Sequence, residues 1–95
     1  METFIKEYLA HLKLEKNLSD NTISSYRNDL KSFNDFLHDL NINDPFEITT
    51  DHLNGFFKLL KELGLVGSSA ARYFSSLKGF FLFLIRNKYI VKNPI

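Results

Sequence analysis

Cysteine and tryptophan are both absent from the 95 residues. Without thiols there is no disulfide framework, no zinc ribbon and no thiol chemistry, and a reducing compartment is permitted. Two prolines and four glycines leave few places where a helix must break. No apolar run approaches the roughly 18 residues of a membrane span. Met1-Glu2-Thr3-Phe4 puts acid where a secretory signal puts base. These absences make a cytoplasmic protein the expectation. One further absence is local: from Leu63 to Ile95 there is no Asp or Glu, while Arg72, Lys78, Arg86, Lys88 and Lys92 all fall there.

What is present is aromatic area. Ten phenylalanines and four tyrosines, in a chain 44% hydrophobic and 24% charged, can close one small core and no second one. The net charge of +1 says little about partners. Its distribution says more, because the basic C-terminal half fits a polyanion partner, and a catalytic or docking neighbour also explains it.

Apolar spacing predicts four helices and no strand. Ile5, Tyr8, Leu9 and Leu12 give a first helix from about Thr3 to Lys16. Ser19 reads as the N-cap of a second, with Leu18 and Ile23 placed as a hydrophobic staple across it. Ile23, Tyr26, Leu30, Phe33, Leu37 and Leu40 then make one continuous apolar stripe. Asn41 to Thr49 is a turn-rich connection. Thr50 reads as the cap of a third helix, which buries Leu53, Phe56, Phe57, Leu60 and Leu63 and ends at Gly64. Gly67-Ser68-Ser69 opens a fourth helix running to about Asn87, with Ala70, Tyr73, Phe74, Leu77, Phe80, Phe81 and Leu84 inward. The expected object is an all-α, compact four-helix bundle.

The opposite faces carry the candidate site. Asn21, Ser24, Ser25, Asn28 and Lys31 lie away from the stripe of the second helix at steps of about 100° per residue. Exposed helix faces usually favour long Glu and Lys side chains, which are better helix formers than Ser and Asn. On the fourth helix Ser68, Ser69, Arg72, Ser75 and Ser76 repeat the pattern without acid. Helix N-termini favour phosphate, and Arg or Lys can add charge or a bidentate contact to guanine. Two ordinary capped helices with exposed serines describe the same residues. Leu82, Phe83 and Ile85 carry apolar character around nearly the whole fourth helix. That pattern predicts either a face left for a partner or a helix running centrally through the bundle.

Reactive constellations are missing. His11, His38 and His52 have no metal-ligand spacing, Gly64-Leu65-Val66-Gly67 is a turn rather than a phosphate loop, and no nucleophile elbow occurs. Tyr26 and Tyr73 sit on apolar stripes and read as core residues. No cofactor and no metal is expected.

Leu14-Glu15-Lys16-Asn17-Leu18-Ser19-Asp20-Asn21-Thr22-Ile23-Ser24-Ser25-Tyr26-Arg27-Asn28-Asp29-Leu30, followed by Phe33 and Phe36-Leu37, resembles the N-terminal core-binding domain of tyrosine recombinases, the Xer-type enzymes and phage integrases among them. Ser68-Ser69-Ala70-Ala71-Arg72-Tyr73-Phe74-Ser75-Ser76-Leu77-Lys78, with Phe80-Phe81 and Phe83-Leu84, is similar to the fourth helix of that domain, and Asn93-Pro94 to its exit. The resemblance covers essentially the whole chain. It implies a SAM-like bundle with orthogonal packing whose second and fourth helices lie on duplex DNA. By position it implies DNA contact from Asn21, Thr22, Ser24, Ser25, Asn28 and Lys31, and from Ser68, Ser69, Arg72 and Ser76. Thr22 borders the apolar stripe, so only its hydroxyl could reach out. The family exchanges strands without a cofactor through a phosphotyrosine, using a C-terminal catalytic domain that these residues do not supply. Duplex DNA, that catalytic domain and sister subunits of a synaptic tetramer are the implied partners. The rival expectation is a SAM-type protein–protein adaptor that docks through Phe83 and its neighbours.

Overall fold

Leu and Phe side chains from the second, third and fourth helices make the fully buried centre of the molecule. In the computed structural model, which describes residues 1–95, the chain forms α1 (Glu2–Leu14), α2 (Asp20–Asp39), α3 (Thr50–Glu62) and α4 (Ser68–Arg86), and no strand. A single 3₁₀ turn, Pro45–Glu47, interrupts the connection between α2 and α3. Leu77, Phe80, Phe81 and Leu84 of α4 are fully buried. Tyr8 of α1 packs on Phe80 and Phe83 at ring-centroid distances of 5.7 and 5.5 Å, and His11 adds a 5.3 Å contact to Phe83. Phe33 of α2 meets Phe81 edge-on at 6.1 Å and Phe56 of α3 at 5.1 Å. Aromatic pairs in these tilted arrangements add to the free energy of burying their area. Most of the apolar circumference of α4 is thus covered by its own bundle, with Leu82 and Ile85 half-buried, while Phe74, expected inward, stands exposed near the start of the helix. Phe83 is buried against α1, which removes it as the centre of an adaptor surface.

Local chemistry sets the ends of these helices. Ser19 caps α2, its Oγ accepting from the Thr22 N–H at 3.2 Å, and Leu18 packs on the core as the staple requires. The spacing predicts Thr50 as the cap of α3, yet Thr49 takes that place. Its hydroxyl accepts from the His52 N–H at 3.3 Å while the His52 Nδ1 accepts from the Thr49 N–H at 3.0 Å. An imidazole here does the work that Glu or Gln does in the usual capping box.

Three helices end alike. Asn41, Gly64 and Lys88 take left-handed φ values of 60°, 89° and 62° just past α2, α3 and α4. The next N–H then turns back to the helix, Ile42 to Leu37 O, Leu65 to Leu60 O and Tyr89 to Leu84 O, each at 2.9 Å. These are Schellman closures, which satisfy carbonyls that the helix end leaves open. After α4 the tail folds back along the bundle. Ile90 and Pro94 are buried, Tyr89 stacks edge-on with Phe4 at 4.9 Å, and the Thr50 hydroxyl donates to Pro94 O at 2.7 Å. No helix is long and apolar enough to cross a membrane.

Candidate nucleic-acid interface

The polar starts of α2 and α4 meet at one carboxylate. Asp29 follows Tyr26 by three residues and precedes Phe33 by four, so it falls on the inner edge of α2, facing α4. It is 0% exposed. Burying an ionised carboxylate costs several kcal/mol unless its lone pairs are matched, on the order that favours paired and hydrogen-bonded sites. Here they are matched from α4. Arg72 donates from Nε to Oδ2 at 3.0 Å and from Nη2 to Oδ1 at 2.7 Å, and the Ser76 hydroxyl donates to Oδ2 at 3.1 Å. The bidentate geometry is the strong form of such a pair. Hydrogen bonding to Asp29 raises the Arg72 pKa further above its ordinary value, so the guanidinium stays charged. Its carbon also stands 5.4 Å from the centroid of the Tyr73 ring.

This arrangement corrects one expected site residue. Ser76 is completely buried and spends its hydroxyl on Asp29, so it presents nothing to a ligand. The cause is angular. Four residues beyond Arg72, it sits one turn deeper under the same seam, on the side of α4 that α2 covers.

The other positions divide into three groups. Asn21, Thr22, Ser25, Tyr26 and Arg72 line one shallow depression of about 340 Å³, which places the α2 and α4 edges side by side. Thr22 reaches it only in part, because its hydroxyl accepts from the Ser19 hydroxyl at 3.0 Å. Ser24 and Asn28 stand exposed on the outer face of α2, and Ser68 exposed with Ser69 half-buried at the start of α4. Lys31 does not join Arg72. It lies toward α1, in a hollow of about 300 Å³ with Glu2, Lys6, Arg27 and Asp35 among its walls. Arg27 also borders the adjoining hollow with Lys6 and Lys13. Four cations therefore flank the α1–α2 seam, a feature readable in the sequence only as Lys6/Lys13 and Arg27/Lys31 at helical spacing. Glu2, Asp35 and the Lys13–Asp20 pair at 3.7 Å temper their charge.

Asp29 is the residue that the polar-face reading misses. The signal for it exists: an acid on the steps of an apolar stripe requires a buried cation, and Arg72 with Ser76 at i, i+4 on α4 is the matching pair. The depression above them offers donors and no acid. Arg72 keeps Nη1 and one N–H of Nη2 free of protein partners, and its side chain is 41% exposed. No cluster of His, Asp or Glu suits a metal ion. The arrangement can hold an anion or an acceptor edge, and it has no nucleophile or base positioned for covalent chemistry.

The chain is an all-α, four-helix domain without strands, and comparison with known families says of which kind. The chain belongs to the phage integrase N-terminal SAM-like domain family, whose model matches residues 5–88. It is similar to the tyrosine recombinase XerD of Staphylococcus epidermidis, at 38% identity over 94 residues. The XerD proteins of Staphylococcus saprophyticus and Staphylococcus aureus match at 39% and 38% over the same length. Each comparison covers 99% of this chain and 32% of the relative, so the chain spans about a third of the length of the curated relatives it matches.

Proposed function

We propose that this chain holds duplex DNA for a site-specific tyrosine recombinase, laying the starts of α2 and α4 across one groove. In this reading the contacts come from Asn21, Thr22, Ser24, Ser25, Asn28 and Lys31, and from Ser68, Ser69 and Arg72. Strand exchange belongs to a catalytic domain outside these 95 residues, so the chain by itself is a binding unit and not an enzyme. That catalytic domain and sister subunits of a synaptic tetramer are its protein partners. The observation that carries the reading is the continuity of the two acid-poor edges at the Arg72 depression, on a chain whose relatives are tyrosine recombinases.

Titration of labelled protein with duplex DNA tests it by NMR. Amide shifts should concentrate at residues 19–31 and 67–75. Shifts confined to α3, or none at millimolar duplex, would sink the reading. The adaptor alternative predicts salt-insensitive partner binding through Phe83, and that side chain is enclosed by Tyr8 and His11.

A further inference from the structure

We propose that Asp29 is a positioning residue, and that it fixes Arg72 as a reader of a guanine edge. The proposal rests on the DNA-holding role above and specifies what one part of that surface does. A guanidinium has a side edge, Nε with one terminal nitrogen, and an end edge formed by the two terminal nitrogens. Asp29 occupies the side edge at 3.0 and 2.7 Å. The end edge has no protein partner, on a partly exposed side chain that lines the depression with Asn21, Ser25 and Tyr26. Two parallel N–H groups in that orientation match the O6 and N7 acceptors of guanine in the major groove.

Charge decides between a base and a phosphate. The Arg72 guanidinium stands against a fully buried carboxylate, so the pair is close to neutral seen from outside. A phosphate is recruited by net charge, and little is left for it here. A base edge is recruited by oriented donors, which the pair retains. Ser76 adds to the device: its single hydroxyl proton is shared between Oδ2 at 3.1 Å and Tyr73 O at 3.0 Å, a further hold on the carboxylate beside Arg72. Asn21 and Ser25 sit beside the free edge and add neutral hydrogen-bonding groups of their own.

The test uses the 95-residue chain and a duplex pool randomised over its central base pairs. The wild type should enrich a G·C pair at one position, and replacing that pair by A·T should weaken binding by about 5- to 150-fold. Arg72→Lys keeps a charge for Asp29 and loses the two-pronged edge. It should melt several degrees below the wild type, because one charged hydrogen bond to the buried carboxylate is lost, yet still bind DNA, with a clearly weaker preference for G·C at that position. Asp29→Asn removes the neutralising charge and the orientation. It should lose the same preference while the slope of log K against log salt steepens by about 0.9, the value of one added phosphate contact. A merely structural role would lower affinity for all sequences with the slope unchanged.

The inference is overturned if the wild type binds duplex without preference for G·C at any position. It is equally overturned if Arg72→Lys keeps the preference, or loses affinity uniformly across sequences as a phosphate contact would. Should Asp29→Asn fail to fold, Ser76→Ala, which removes one hold on the carboxylate and leaves Arg72 in place, tests the positioning. It should weaken the G·C preference with the salt slope unchanged, and an unaltered preference overturns the role of Asp29. Wild-type protein that binds no duplex overturns the DNA-holding role itself, whereas unselective binding overturns only the assignment to Asp29 and Arg72.

Discussion

Gly79 and Tyr8 occupy one space between them. Gly79 lies on α4 where a Cβ would collide with the Tyr8 hydroxyl and stand 3.3 Å from Cζ. Tyr8 is buried and packs on Phe80 and Phe83, so moving its ring disturbs those contacts. Replacing a helical glycine by alanine normally gains about 1 kcal/mol, while overpacking a core costs about 1–3 kcal/mol. Gly79→Ala is expected to lose on balance, by about 1 kcal/mol in urea unfolding. Adding Tyr8→Phe should recover most of that loss, because the colliding oxygen is gone. The same phenol sets an alkaline limit. Burial first, then the neighbouring Tyr26, raises the Tyr8 pKa above its ordinary value of 10.0. The folded chain therefore keeps a proton that the unfolded chain releases. Stability is undiminished below pH 10 and falls above it by at most about 1.4 kcal/mol per pH unit from this group. Melting temperatures measured from pH 9 to 11 should drop above pH 10 in the wild type, and less steeply in Tyr8→Phe.

At the scale of the helix, what was legible followed from spacing. The α2 stripe from Ile23 to Leu37 is a period that only a helix buries on one side, and Ser19 with Leu18 marks its start without ambiguity. The start of α3 was harder to read. Thr49 and Thr50 are equal candidates by side chain, and a histidine is not a usual capping-box partner, so His52 gives no advance sign of choosing Thr49. The completeness with which α1 covers Phe83 is a tertiary outcome that no window of sequence around Phe83 contains. The helix ends yield a sharper expectation. Lys88 holds φ 62° at the same closure where Gly64 holds 89°, and a side chain in that region is strained where glycine is not. Lys88→Gly should therefore stabilise the chain by roughly 0.5–1 kcal/mol in thermal or urea unfolding. Gly64→Ala should destabilise it by a similar amount. If Lys88→Gly proves destabilising, the tail contact of Tyr89 with Glu7 at 2.8 Å, rather than the backbone closure, governs this end.

Across the whole molecule the site divides along the same line between local and non-local signals. The absence of acid from α4 shows in composition alone, and the Ser/Asn face of α2 shows in its helical spacing. The junction of the two helices through Asp29 joins residues 43 positions apart and requires the fold. That junction alters the electrostatics, since Arg72 is spent internally and the cations left for a polyanion sit on separate patches. The molecule measures 35 by 29 by 19 Å, so it can span no more than about one turn of duplex, roughly 34 Å. With a net charge of +1, it should neutralise only a few phosphates, and each contributes about −0.9 to the slope of log K against log salt. Fluorescence anisotropy between 50 and 200 mM salt, conditions under which strongly basic binders lose about 10³-fold or more, should give a slope of about −2 to −4. Lys31→Ala should flatten it by about 0.9, because Lys31 stands exposed at the α1–α2 seam beside the polar face. Lys58→Ala, an equal loss of charge on α3, should leave the slope unchanged. Equal flattening by both substitutions would mean that DNA answers to total charge and not to the side of the molecule on which Lys31 stands.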